Sequence, residues 1–120
     1  MIDLKPTVLQ ALEGNAALVS LLGGKRIYQL AAPNAEEYPR ITFFEMTNFD
    51  SDFADDDPTT SMVSFQIDVW SKGSTTAIGQ EVDRTMKSIG FRRTSSADLY
   101  EEDVKVYHKG MRFTIAVESA

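Results

Sequence analysis

The spacing of apolar residues along this chain changes period several times, and each change marks an element. From Asp3 to Leu22, the residues Leu4, Val8, Leu9, Leu12, Ala16, Val19 and Leu22 recur at helical steps, which places them on one face of a helix. Asp3 can cap its start and Gly23-Gly24 its end, and Pro6 falls in the first turn, where no intrahelical N–H bond is lost. Gly14 and Asn15 weaken its middle, so packing rather than propensity must hold it. A short apolar stretch, Ile27 to Leu30, leads into a proline-containing loop from Ala31 to Pro39. Ile41 to Phe49 is rich in aromatic and β-branched residues and predicts a strand, with Ile41, Phe43 and Phe49 sharing one parity. Met62 to Trp70 alternates more strictly: Val63, Phe65, Ile67 and Val69 point one way, and Ser64, Gln66 and Asp68 the other.

A second amphipathic helix begins at Ser74 or Thr75, carries Ile78, Val82, Met86 and Ile89 as its stripe, and ends at Gly90. Phe91 to Ser95 predicts a short strand, Ser95 to Asp98 a turn, and Val104 to Val117 a long strand. Val104 and Val106 have one parity and Met111, Phe113, Ile115 and Val117 the other, so a bulge is expected near Gly110. Between the first two long strands, residues 50–59 hold five aspartates, and Pro58 should interrupt pairing. A flexible acidic loop is expected there, reaching roughly 15 Å from the sheet edge at ~3.3 Å per residue. Together these elements predict an α+β fold of two layers, with two amphipathic helices on one face of a mainly antiparallel sheet of about five strands.

Composition narrows the function without naming it. At 120 residues and 13.4 kDa the chain suits a single domain spanning 1–120. Its formal charge of −6 repels phosphate backbones, so nucleic acid is not expected as a direct ligand. The absence of cysteine removes disulfides, thiolate catalysis and the Cys-containing zinc patterns. Met1 to Pro6 lacks a basic stretch followed by an apolar one, and no apolar run approaches the ~20 residues of a membrane span. No membrane association is expected, and the expected compartment is a cytoplasm.

Candidate chemistry is sparse. His108, the one histidine, lies between Tyr107 and Lys109 with no carboxylate at a metal-binding spacing, and is expected as an exposed or interfacial strand residue. There is no nucleophile elbow, P-loop or dinucleotide fingerprint. Asp50, Asp52, Asp55 and Asp57 could approach a Ca²⁺ ion, yet Ala54 occupies the fifth loop position and Asp55 the place of the turn glycine, so the EF-hand pattern fails. The acidic residues Asp50, Asp52, Asp55, Asp56 and Asp57 then remain either a solvated loop or a surface that repels a polyanion. No catalytic residue, cofactor or metal is expected. Arg92, Arg93, Lys105, Lys109 and Arg112 give the last third a basic bias that suits head-to-tail self-association with the acidic middle. Trp70, Tyr100, Tyr107, His108, Lys109 and Arg112 are the candidate interface residues.

Leu21-Leu22-Gly23-Gly24-Lys25-Arg26-Ile27-Tyr28 comes first, then Tyr38-Pro39-Arg40-Ile41-Thr42-Phe43 and Ile67-Asp68-Val69-Trp70-Ser71. Val82-Asp83 and Met86 follow, then Asp98 to Asp103 and Tyr107 to Phe113. In this order and spacing the chain resembles the tail-completion, or tail-to-head joining, proteins of long-tailed bacteriophages and their prophage relatives, siphophage members among them. The resemblance implies a small α+β structural virion protein without catalysis. It further implies a ring of six copies that caps the tail tube and joins it to the head-completion (connector) protein, with DNA passing through unbound. The implied location is the tail-head junction of the virion, after assembly in the host cytoplasm. The acidic segment matches no family motif. An acidic nucleic-acid mimic is the rival reading, with a loop-based metal-dependent enzyme behind it; a mimic would spread its acids over a rigid face, whereas here they concentrate in one segment.

Overall fold

The structure is a computed structural model that describes residues 1–54 and 57–118, with backbone alone over 52–54 and 57–58. In chain order it contains helices α1 (Lys5–Glu13) and α2 (Ala16–Leu22), strands β1 (Ile27–Gln29), β2 (Arg40–Ala54) and β3 (Asp57–Ser71), helix α3 (Thr76–Ser88), and strands β4 (Arg92–Glu101) and β5 (Val106–Glu118). The strands form one sheet in the order β1-β2-β3-β5-β4, antiparallel throughout except for the β1–β2 pair. The α+β, mostly antiparallel expectation holds, with three helices in place of two. No helix among the described residues is long and apolar enough to cross a membrane.

The alternation of β3 builds the core. Val63, Phe65, Ile67 and Val69 are buried with Ile41 and Phe43 of β2 and Met111 and Phe113 of β5. Against them sit Val8 and Leu12 of α1, Leu18 and Leu22 of α2, and Ile78, Val82 and Met86 of α3. Phe65 is the hub, with ring centroids 6.3 Å from Phe43 and 5.8 Å from Phe91.

Five local expectations are corrected. The helix expected over Asp3–Leu22 breaks at Gly14-Asn15, because Asn15 makes a better junction than a helix interior. Its Oδ1 accepts from Leu18 N at 3.0 Å, and its Nδ2 donates to Thr85 Oγ1 at 2.8 Å and Glu81 Oε1 at 3.3 Å, so it caps α2 and ties it to α3. Phe49 does not share the buried parity of Ile41 and Phe43. A bulge between Glu45 and Thr47 inserts one residue and turns Phe49 outward, where it is 55% exposed.

The segment expected as a loop at 50–59 carries strand instead, β2 continuing to Ala54 and β3 starting at Asp57 in register. Asp50, Asp52 and Asp57 lie on this ribbon, while Asp55 and Asp56 lie outside the described residues. Pro58 pairs with Phe53 beyond the last β3–β5 partners, Thr60 and Glu118, where among the described residues the ribbon is two-stranded and a missing N–H is tolerated. The radius of gyration, 15.3 Å, exceeds the about 13.6 Å of a compact chain of this length because the long hairpin stretches one axis to 53 Å.

The turn expected over Ser95–Asp98 is interior strand, and the reversal falls at residues 102–105. Gly110 is regularly paired with both Asp68 and Ala97, so the expected bulge is not there; the irregularity lies in β4, between Arg93 and Ser95. The parity change around Gly110 has another cause. Val104 is exposed in the turn, and Val106 is buried apart from the main core, on the face away from the helices.

Candidate functional site

Alternation divides the candidate residues between two faces. On β5, His108 and Arg112 share a parity with Val106 and lie on the face free of helices, whereas Tyr107 and Lys109 share that of Met111 and lie on the helix side. Trp70, the partner of His108, belongs to the open face.

The open-face group is tightly knit. The rings of Trp70 and His108 stack at 3.8 Å between centroids with 14° between planes, and Trp70 Nε1 donates to Thr42 Oγ1 at 2.9 Å. His108 stands between two carboxylates, Nε2 2.7 Å from Asp68 Oδ1 and Nδ1 3.0 Å from Glu101 Oε1, and only 12% of its side chain is exposed. Gln66 Nε2 donates to Asp68 Oδ1 at 2.9 Å and Arg112 Nε to Gln66 Oε1 at 3.2 Å, which carries the network across the sheet. Arg40 joins it from the other side, its Cζ 4.6 Å from the Tyr38 ring centroid and 5.6 Å from that of Trp70. Arg40 Nη1 also donates to the carbonyls of Ala35 and Glu37, each at 3.0 Å, and so ties the 30–39 loop to this corner.

That loop is stapled from β1 and the residue before it as well. Arg26 Nη1 donates to Tyr38 O at 3.0 Å, and the Tyr28 hydroxyl donates to Glu37 Oε1. This bond to the carboxylate is the first cause that pushes the Tyr28 phenol above its ordinary range, with burial and the charge of Glu37 adding to it.

The remaining candidates face elsewhere. Tyr100 and Tyr107 are cross-strand partners with ring centroids 5.1 Å apart, and each is about half exposed. Lys109 runs its stem across Gly79 of α3 and places Nζ 2.7 Å from Asp98 Oδ1; a Cβ at Gly79 would come within 2.7 Å of Lys109 Cδ. Asp50 Oδ1 is 3.5 Å from Ser61 Oγ. A groove between α3 and β4 is lined by Asp83, Arg84, Lys87 and Arg93. There Lys87 and Arg93 both meet Asp83, at 2.8 and 3.4 Å, and Arg84 meets Glu81 at 3.0 Å.

None of these arrangements fits catalysis. A general base needs a free basic nitrogen, and both nitrogens of His108 face carboxylate oxygens. Those carboxylates approach opposite sides of the ring, so they do not converge on an ion, and no cluster of three or more His, Asp or Glu suited to a metal occurs among the described residues. The site is an ordered aromatic and charged surface. Sequence reasoning found Trp70, His108 and Arg112 and missed Asp68, Glu101, Arg40 and Tyr38 as their partners; the shared parity of Gln66, Asp68 and Trp70 was the available signal.

Among the described residues, the small α+β module presents this ordered surface and no constellation of catalytic groups. The comparisons give the family: the model for "Tail completion protein gp17" matches residues 6–118, and the chain belongs to that family of phage tail-completion proteins, which are structural and not enzymes. The fold is similar to a chain from a solved structure described as the virion of a native gene transfer agent particle. The TM-score is 0.69 at 15% identity, over 93% of this chain and 92% of that one. No curated protein sequence matches.

Proposed function

We propose that the protein closes the end of a phage tail tube as a ring of six copies and joins it there to the head-completion (connector) protein. Membership of the tail-completion family over residues 6–118 carries this reading. The similarity in fold to a component of a phage-like particle supports placement in a virion, against other tail and head proteins. Two features of the chain fit the role. The open face presents a rigid array around Trp70 and His108, already ordered before contact, which lowers the entropy cost of docking. The β2–β3 ribbon carries its acidic residues away from the core, where they can face the DNA path and keep it free of adhesion. Assembly takes place in the host cytoplasm, with the finished protein at the tail-head junction.

The test is genetic and visual. Cells that make the particle without this protein should accumulate filled heads and separate tails under electron microscopy, and supplying it in trans should restore joined particles. Joined particles in its absence would overturn the reading.

A further inference from the structure

β4 lies at one edge of the sheet, with nothing paired on its outer side among the described residues, and it is exposed from Arg92 to Tyr100. It carries neither Pro nor Lys, the residues that commonly guard an edge. A strand left open in this way is a template for another strand, and its own sequence specifies which one.

β4 is complementary to itself about Ala97. Four rungs of the β4–β5 ladder separate Ala97 from Arg92 in one direction and from Glu101 in the other, because the irregularity after Arg93 leaves Thr94 out of the pairing. Turned end for end about Ala97, the strand therefore sets Arg92 opposite Glu101, Arg93 opposite Tyr100 and Ser95 opposite Leu99. The faces agree as well. Arg92, Ser95, Leu99 and Glu101 all belong to the open side, whereas Arg93 and Tyr100 belong to the helix side, opposite Phe113 and Tyr107. Without the bulge Arg92 and Glu101 would point to opposite faces and could not meet. No rung of this register sets like charges together.

We infer that the β4 edge is covered by the β4 edge of a second copy of this chain, antiparallel about a two-fold axis through Ala97, with Arg92 of each copy beside Glu101 of the other. The groups that make this ion pair are free to do so. Arg92 has no partner among the described residues, and Glu101, whose side chain is 41% exposed, uses Oε1 for His108 and offers Oε2. Arg93 keeps Asp83, and Asp98 keeps Lys109. Ala97 at the centre has too little bulk to hold the strands apart, and Leu99, about half exposed, gains apolar cover beside it.

One strand edge is a small contact beside the ~1,200 Å² of a stable interface, so the pair is weak and reversible. Neighbours in a six-fold ring are not related by a two-fold, so the pair is a state of the free protein, separate from the ring proposed above. It guards the edge until assembly draws the copies apart.

The chain has no cysteine, so a single substitution at the two-fold reports the contact. Antiparallel partners meet the ~4.4–6.8 Å Cα separation of a disulfide, and Ala97→Cys should therefore couple to itself and stop at a covalent dimer. Glu36→Cys, exposed in the loop between β1 and β2, is the control and should couple far more slowly. Sedimentation equilibrium of the unmodified protein should show the mass rising with concentration from 13.4 kDa toward twice that value. Arg92→Glu should weaken the pair roughly tenfold, since two ion pairs become two like-charge contacts. Far-ultraviolet circular dichroism checks that the variants fold, and if Ala97→Cys does not, the masses of the unmodified protein and of Arg92→Glu decide. A mass that stays at one copy at the highest concentration, or Ala97→Cys coupling no faster than the control, overturns the pair. An unweakened Arg92→Glu pair overturns its register. A mass of six copies in solution also overturns it, while leaving the ring reading standing.

Discussion

The two faces of this sheet arise from the same strands by the same alternation, yet they are organised by different forces. On the helix side, Phe43, Phe65, Met111 and Phe113 are buried by non-directional packing. On the open side, Trp70, His108, Asp68, Gln66 and Arg112 are held by directed bonds and ring stacking, and the covering comes from one loop through Arg40 and Tyr38. The first face stabilises a fold that many sequences could share. The second uses part of that stability to hold polar groups in a single arrangement.

The sharpest way to break this comparison is to truncate one residue on each face. Phe65→Ala should cost about 3–5 kcal/mol in denaturant unfolding, because the helices and flanking strands cannot close the space it leaves. His108→Ala should cost less, about 1–3 kcal/mol, mainly by taking from Asp68, whose side chain is 7% exposed, one of its two partners and leaving it Gln66. If the His108 variant proved the more destabilised, the open face would be a second core and not a surface. The double variant Tyr100→Ala/Tyr107→Ala should lose about 1 kcal/mol, the worth of one aromatic pair, while blocking tail attachment in a reconstitution assay. Global unfolding of that variant would assign both rings to the core.

Charge on the ribbon should separate from stability altogether. Replacing Asp50 and Asp52 by Asn should leave the unfolding midpoint nearly unchanged, since both lie on the β2–β3 ribbon and Asn keeps the oxygen that accepts from Ser61 Oγ at position 50. If the ribbon faces the DNA path, particles should assemble and eject DNA more slowly; separate heads and tails would show that the charges make the joint instead.

The same contrast explains what could be read in advance. The β3 alternation and the α3 stripe were legible because periodicity reports directly on burial. Bulges were not, since the single residue inserted between Glu45 and Thr47 reverses every later side chain, and nothing local in Glu45-Met46-Thr47 announces it. The acidic stretch looked like a loop because aspartate disfavours strands, but hairpin register carried β2 through it to Ala54. Of the open-face cluster, the aromatic and basic members stood out by type. Their partners did not, because Asp68 and His108 are forty residues apart and meet only through β3–β5 pairing.

The smallest expected effect tests whether the loop belongs to the open face or merely lies near it. Tyr28 donates to Glu37, and the carboxylate keeps the phenol protonated to higher pH than a free tyrosine. Because the folded protein holds this proton more tightly than the unfolded chain, the bond's contribution is complete below the ordinary tyrosine range, about pH 10, and is lost as pH rises through the raised value. Tyr28→Phe removes the donor and should cost at most about 1 kcal/mol at neutral pH, since Arg26 and Arg40 still bind the loop carbonyls. In the native protein, alkaline titration should therefore loosen the loop before the core, which Trp70 fluorescence can follow because Arg40 links the loop to that ring. In Tyr28→Phe the alkaline change in Trp70 emission should vanish while the unfolding transition stays in place. An unchanged emission titration in the variant would show that Trp70 does not sense the Tyr28–Glu37 bond, and that Arg26 and Arg40 hold the loop without it.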